Sequence, residues 1–322
     1  MRSVRARALR AFPILLSLAL LLAACQRDTS GPDPAAAPAP RPTAMSETDE
    51  HSRAEPDKVV IEDLALDLAL DFDARTLSGT ATYRLQWKDP SATVLALDTR
   101  DLSIAKVEAE VDGAWQPLQF ALDEADPVLG SRLRIEAPQR PARVRVTYRT
   151  SPGASGLQWL TPEMTEGKQL PFMFSQSQQI HARSWVPLQD TPQVRYTYTA
   201  RVTTRPDVMV LMSADNDPAA ERDGEYHFAM PQPIPSYLMA IAAGDLVFKP
   251  ISERSGVWAE PAMVERAHAE FADTEQMIAA AEALYGEYRW GRYDLLVLPP
   301  SFPFGGMENP RLSFITPTVI VG

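Results

Sequence analysis

LALDLALDF, residues 64–72, makes every second side chain large and apolar and leaves aspartate or alanine between them. Successive side chains of a strand point to opposite faces, so a period of two predicts a half-buried antiparallel strand. The same period recurs along the chain. YRLQW, residues 83–87, puts Tyr83, Leu85 and Trp87 on one face, and VRVTY (144–148) and VRYTYTARV (194–202) turn Arg and Thr outward. Asp112–Gly113 and Asp223–Gly224 read as hairpin turns between such runs. Residues 57–250 are therefore expected to form an all-β, antiparallel domain.

Upstream the character differs. Arg2, Arg5, Arg7 and Arg10 precede the apolar run FPILLSLALLLAA, residues 12–24, which is of signal-peptide length and too short for a resident transmembrane helix. Small residues lead into Cys25, the one cysteine of the chain. This segment resembles a bacterial lipobox, which implies cleavage after residue 24 and lipidation of the Cys25 thiol. Each buried methylene of such an anchor contributes about 0.8 kcal/mol. Export with attachment to a bacterial membrane is the expectation, and Gln26 after the cysteine points to the periplasmic side of an outer membrane. GPDPAAAPAPRP, residues 31–42, holds five prolines in twelve positions. Residues 25–56 then read as an extended tether. With no second cysteine the body of the protein is built without disulfides.

Downstream of residue 250 the period changes to that of α/β structure. EPAMVERAHAEF places Pro261 in a first helical turn. DTEQMIAAAEALYG reads as a second helix with Asp273 as N-cap, Gln276 as its N3 partner and Gly286 as the stop. Met277, Ile278, Ala281 and Leu284 form its apolar stripe. YDLLVLPP, residues 293–300, is a buried strand ended by two prolines, and LSFITP another. Residues 251–322 thus look like the opening of an α/β domain whose core needs more chain to close. The formal charge of −11 leaves nothing to neutralise a phosphate backbone and excludes a nucleic-acid partner.

PFGGMENPRLSFITPTVIVG, residues 303–322, carries a glutamate beside two glycines. Glycine leaves backbone N–H and C=O groups open, so on a sheet edge an extended peptide could pair there. Glu308 would then meet the positive end of that peptide, its free α-ammonium. The alternative is a glycine-rich turn with a solvated Glu308.

Gly305-Gly306-Met307-Glu308-Asn309 resembles the Gly-x-Met-Glu-Asn motif of the M1-family zinc aminopeptidases. YDLLVLPPSFPFGGMENPRLSFITPT (293–318) is similar to the leukotriene A4 hydrolase/aminopeptidase branch. So are PFMFSQSQQIHARSWVPLQDTPQVRYTYTA (171–200) and PIPSYLMAIAAGDL (233–246). The resemblance implies a multidomain protein, with a saddle-like N-terminal β domain followed by the truncated start of a thermolysin-like α/β catalytic domain. It implies that Glu308 binds the α-amino group of peptide substrates with a free N-terminus. Gly305 and Gly306 would supply backbone contacts, Phe304 and Met307 would help shape the pocket for the first side chain, and Pro303 would be a further substrate-binding residue. Phe304 stands where the branch often has tyrosine. Gln178 would reach the substrate from the β domain, with Gln176 and Ser177 beside it. Gln179 stands at a position that is small in relatives, which implies a narrower pocket or an altered residue preference.

The family's cofactor is one zinc ion, held by His-Glu-x-x-His and a distant glutamate. This chain has no such motif. His51, His181, His227 and His268 are far apart in sequence and read as structural or surface residues. The zinc ligands are expected beyond Gly322, so the chain alone is expected to lack peptidase activity. A reading of another class remains: a lipid-anchored module that captures peptides or a partner protein without cleaving them.

Overall fold

The computed structural model describes residues 49–321. The expected signal segment, Cys25 and most of the tether lie outside the described residues. In chain order the strands begin with β1 (Val59–Asp71), β2 (Thr76–Trp87), β3 (Val94–Thr99), β4 (Ser103–Val111), β5 (Ala114–Pro117), β6 (Phe120–Leu122), β7 (Ser131–Glu136) and β8 (Arg143–Arg149). Then come β9 (Leu157–Leu160), β10 (Phe172–Ser175), β11 (Tyr196–Thr203), β12 (Met209–Met212), β13 (Glu225–Ile234), β14 (Ile241–Gly244) and β15 (Val247–Pro250). The last part holds β16 (Ser255–Ala259), helices α1 (Val264–Glu270) and α2 (Thr274–Tyr285), β17 (Tyr293–Val297), β18 (Gly306–Met307) and β19 (Leu312–Ile315).

The alternation read in residues 64–72 is realised in β1. Leu64, Leu66, Leu68 and Leu70 are buried while Asp67, Ala69 and Asp71 face solvent. Burying each leucine contributes about 1.5–3 kcal/mol, which is what fixes the face that turns inward. β1 lies in a seven-stranded sheet of order β13-β11-β1-β2-β8-β4-β5. Smaller sheets of order β12-β14-β10-β9 and β3-β7-β6 complete the β region. One apolar core joins the leucines of β1 to Phe172 and Phe174 of β10 and Leu133 and Ile135 of β7.

Several expectations change. β1 and β11 pair in parallel, Leu64 opposite Tyr198 and Leu68 opposite Val202, where an antiparallel sheet was expected throughout. Asp112–Gly113 does make the two-residue β4–β5 turn, with φ of 50° and 79°. Both values lie in the left-handed region that this turn requires. Asp223–Gly224 instead opens β13, whose antiparallel partner β11 lies far upstream. Nor does the tether run to residue 56. Ser52 Oγ (2.6 Å) and Arg53 N (2.6 Å) donate to the Asp98 carboxylate, and Arg183 donates to the His51 carbonyl at 2.7 Å, so residues from 51 on belong to the folded body.

The final sheet has the order β15-β16-β17-β19-β18. β16, β17 and β19 are mutually parallel, the α/β pattern expected of residues 251–322. The boundary expected after residue 250 falls inside the antiparallel β15–β16 hairpin, so the two parts share a sheet. Val257, Ala259, Leu295 and Val297 pack under α1 on one face. Trp258, Leu296, Phe314 and Met307 form a row across the other face and join the core of the β region.

Helix α2 starts and stops where the sequence sets it, after Asp273 and before Gly286, whose φ is 92°. The Asp273 side chain accepts from Gln276 Nε2 at 3.2 Å and caps no backbone N–H. Its apolar stripe is not covered among the described residues: Met277 is 66% and Leu284 75% exposed. The helix is held by charge instead. Arg254 donates two bonds of 2.8 Å to Glu282 and reaches Glu275 at 2.9 Å. That guanidinium fork holds the Glu282 carboxyl at about 2, with Tyr288 N–H adding a further bond.

Candidate functional site: the edge strand and the Gln176 turn

β17 is buried between two parallel neighbours, and Pro299 and Pro300, which have no N–H to donate, end the ladder beyond it. The chain then doubles back so that β18 runs antiparallel to β19, with Gly306 opposite Ile315 and Met307 opposite Phe314. β18 is therefore the edge of the sheet, and Gly305 and Gly306 lie at the carboxyl end of the parallel strands. In sheets of this type ligands bind outside that end. A Cβ at Gly306 would stand 3.1 Å from the Phe314 carbonyl, while one at Gly305 would meet nothing within 4 Å. A side chain at Gly306 would thus crowd its strand partner, whereas Gly305, whose carbonyl accepts from Thr316 N at 3.2 Å, has open space where a side chain would stand.

Side chains then alternate across the edge. Met307 is 4% exposed and joins the core, whereas Glu308 is exposed and has no hydrogen bond or ion pair among the described residues. Asn309 turns inward, with its Nδ2 buried and unpartnered among the described residues. Arg311 follows with φ 66°, its guanidinium bonded to Asp215 of the β region and its pKa lowered by burial. Phe304 is half exposed and packs edge-on against Phe302, with centroids 5.9 Å apart. Phe302 in turn meets Phe174 at 5.6 Å and Phe314 at 6.4 Å, so an aromatic column ties β10 to the edge strand. Pro303 is exposed beside it.

From the β region, Gln176 follows β10, with its backbone N bonded to Gly156 O at 2.9 Å. Its Nε2 lies 3.3 Å from Met307 Sδ, and its Oε1 is buried without a partner among the described residues. The structure thus brings Gln176 to the glycine-rich motif. Gln178 and Gln179 are exposed on the following turn, joined by a cis peptide bond. Ser177 is a correction. It is 3% exposed, and its hydroxyl donates to Met239 O at 2.9 Å while accepting from Trp185 Nε1 at 3.1 Å. That hydroxyl is committed to the scaffold and does not face a ligand. The turn closes with His181 N donating to Ser177 O at 2.9 Å. The His181 Nδ1 sits 2.8 Å from Ser155 Oγ and 3.3 Å from Arg100, and burial, aided by Arg100, lowers its pKa. Two residues escaped the sequence reading: Phe302, masked among the prolines, and Glu260, at the end of β16.

Among the described residues no three His, Cys, Asp or Glu side chains converge as metal ligands do. His227 meets Glu225, His268 meets the Pro250 carbonyl and His51 is exposed, so the described residues do not fit a zinc centre.

Residues 55–238 match the peptidase M1 N-terminal domain. The chain belongs to the M1 peptidase family. This M1 chain is 42% identical over 284 residues to leukotriene A-4 hydrolase of Xenopus laevis, covering 85% of the chain and 46% of that protein. It is 40% identical over 288 residues to human aminopeptidase B, covering 80% and 43%. A solved structure of yeast LTA4 hydrolase in complex with bestatin superposes with a TM-score of 0.79 at 35% identity, covering 87% of the M1 chain and 44% of the other. The M1 chain spans less than half the length of each of these proteins.

Proposed function

We propose that this chain supplies the part of a zinc-dependent aminopeptidase that reads the free amino terminus of a peptide and sets its register. The observation that carries this reading is Glu308, exposed and unpaired among the described residues, at the end of an edge strand whose two glycines carry no side chain to shield its outer side. An extended peptide adds to the free edge of β18 by main-chain hydrogen bonds. Its α-ammonium meets the Glu308 carboxylate, a charge-assisted bond worth about 1.5–3 kcal/mol. A peptide with a blocked or internal N-terminus leaves that carboxylate unmatched, which is the basis of discrimination. Gln176 and Gln178 offer amide oxygens from the opposite wall, and the buried, unpartnered Oε1 of Gln176 supports a role as acceptor. Phe304 lines the pocket for the first side chain, while Met307 is buried in the core and bears on the site only through its contact with Gln176. Gln179, beside Gln178, narrows it.

Family membership and the relatives named as aminopeptidases support cleavage by the whole enzyme. The described residues contribute recognition and not a metal centre, so the isolated chain is expected to be inactive. Export and lipid attachment through Cys25 complete the proposal, placing the reader on a membrane surface at the end of a proline-rich tether. In the complete enzyme, Glu308→Ala or Glu308→Gln loses most activity on a free-amine substrate while zinc content is kept. Unchanged kinetics would contradict the role. Binding of free-amine peptides without turnover by the complete gene product would instead favour the non-catalytic module.

A further inference from the structure

Glu260 follows the end of β16, two residues beyond Trp258, and so turns to the face that packs on the β region. It is 4% exposed. Its two carboxylate oxygens accept the adjacent backbone N–H groups of Glu166 and Gly167, each at 2.9 Å, from a loop more than ninety residues away in sequence. That loop is stapled within itself: Thr165 Oγ1 donates to Pro162 O at 2.8 Å and accepts from Lys168 N at 3.1 Å. It leads directly into β10, whose far end carries Gln176. A buried carboxylate is costly unless matched, and two fixed N–H donors match it along one direction only. The clamp therefore sets the position of β10 against the five-stranded sheet.

We infer that Glu260 is the positioning residue that holds the Gln176–Gln178 wall against the Gly305–Glu308 edge. The inference rests on the reading of that edge as the amino-terminus site, and adds the device that fixes the width of its groove. Glu260 touches no ligand. It acts through the 165–167 loop and β10, at the same end of the sheet as Gly305 and Gly306. Register at such a site is sensitive: a displacement of about 1 Å costs on the order of a hundredfold in a positioned reaction.

The test uses the 322-residue chain, labelled at the methionine methyl groups and at backbone amides, in wild-type, Glu260→Ala and Glu260→Gln forms. Glu260→Ala is expected to speed exchange of the Glu166 and Gly167 amides. It should also shift the Met307 methyl resonance and abolish its contact with Gln176. Affinity for a free-amine tripeptide should fall about tenfold. Glu260→Gln keeps one acceptor oxygen and should restore protection at one of the two amides and part of the affinity. Released amides with an unmoved Met307 methyl would overturn the inference, since the clamp would then be local to its loop. If wild-type does not prefer the free amine to its N-acetylated form, the amino-terminus reading fails, and the Met307 methyl alone decides whether Glu260 sets the groove. Should Glu260→Ala not fold, the graded response of Glu260→Gln decides it.

Discussion

The Gln176 amide nitrogen lies 3.3 Å from the Met307 sulfur, joining two walls that are 131 residues apart in sequence. Met307 is 4% exposed and part of the shared core. Met307→Ala should therefore open a cavity and cost about 2–5 kcal/mol, whereas Met307→Leu, which conserves volume, should cost less than about 1.5 kcal/mol. Urea unfolding midpoints of the two variants check the order. Equal losses would mean that the polar contact to Gln176, not packing, is what Met307 supplies.

Arg183 and Asp190 form a fully buried ion pair at 2.9 Å, and Asp98 lies 3.8 Å away. Ser236 Oγ donates to Asp190 at 2.6 Å, so few lone pairs are left over. Removing one partner leaves a buried charge uncompensated. Asp190→Ala should destabilise the chain by about 3–5 kcal/mol, read as a fall in the urea midpoint at unchanged slope.

Helix α2 should detach in acid. Glu282 is held at about 2 by its bonds to Arg254, and Glu275 is also lowered by Arg254. Both folded-state values lie below the ordinary carboxylate value of about 4.3, so the stabilisation is fully present above that value. It is lost as the pH falls towards 2, when the carboxylates protonate and Arg254 loses its partners. Amide exchange across residues 274–285 should accelerate in that window, and Arg254→Leu should produce the same acceleration at neutral pH. Unchanged protection in the variant would show that packing holds α2 after all.

How much of this was legible depends on whether a feature is local. The buried leucines of β1 and the turn at Asp112–Gly113 follow from neighbours in sequence, because a period of two and a left-handed pair specify themselves. Partner choice does not, so neither the parallel β1–β11 pairing nor the long-range partner of the strand after Asp223–Gly224 is visible in the local pattern. The stripe of α2 was legible as a pattern, yet whether anything covers it depends on the surroundings of the helix. At the site, resemblance pointed to both Gln176 and Ser177. Only the fold shows that Ser177 turns towards Trp185 and Met239. Glu260 had no sequence signal except a carboxylate at the end of a strongly apolar run, and its partners are backbone atoms of a distant loop.

The most direct test of the amino-terminus reading is the affinity of the 322-residue chain for one tripeptide with its amino group free or acetylated, measured by calorimetry on wild-type and Glu308→Gln. Wild-type should bind the free amine more tightly by roughly one to two orders of magnitude, matching a charge-assisted bond of about 1.5–3 kcal/mol, and Glu308→Gln should erase the preference. Equal affinity of wild-type for the two peptides would contradict the account.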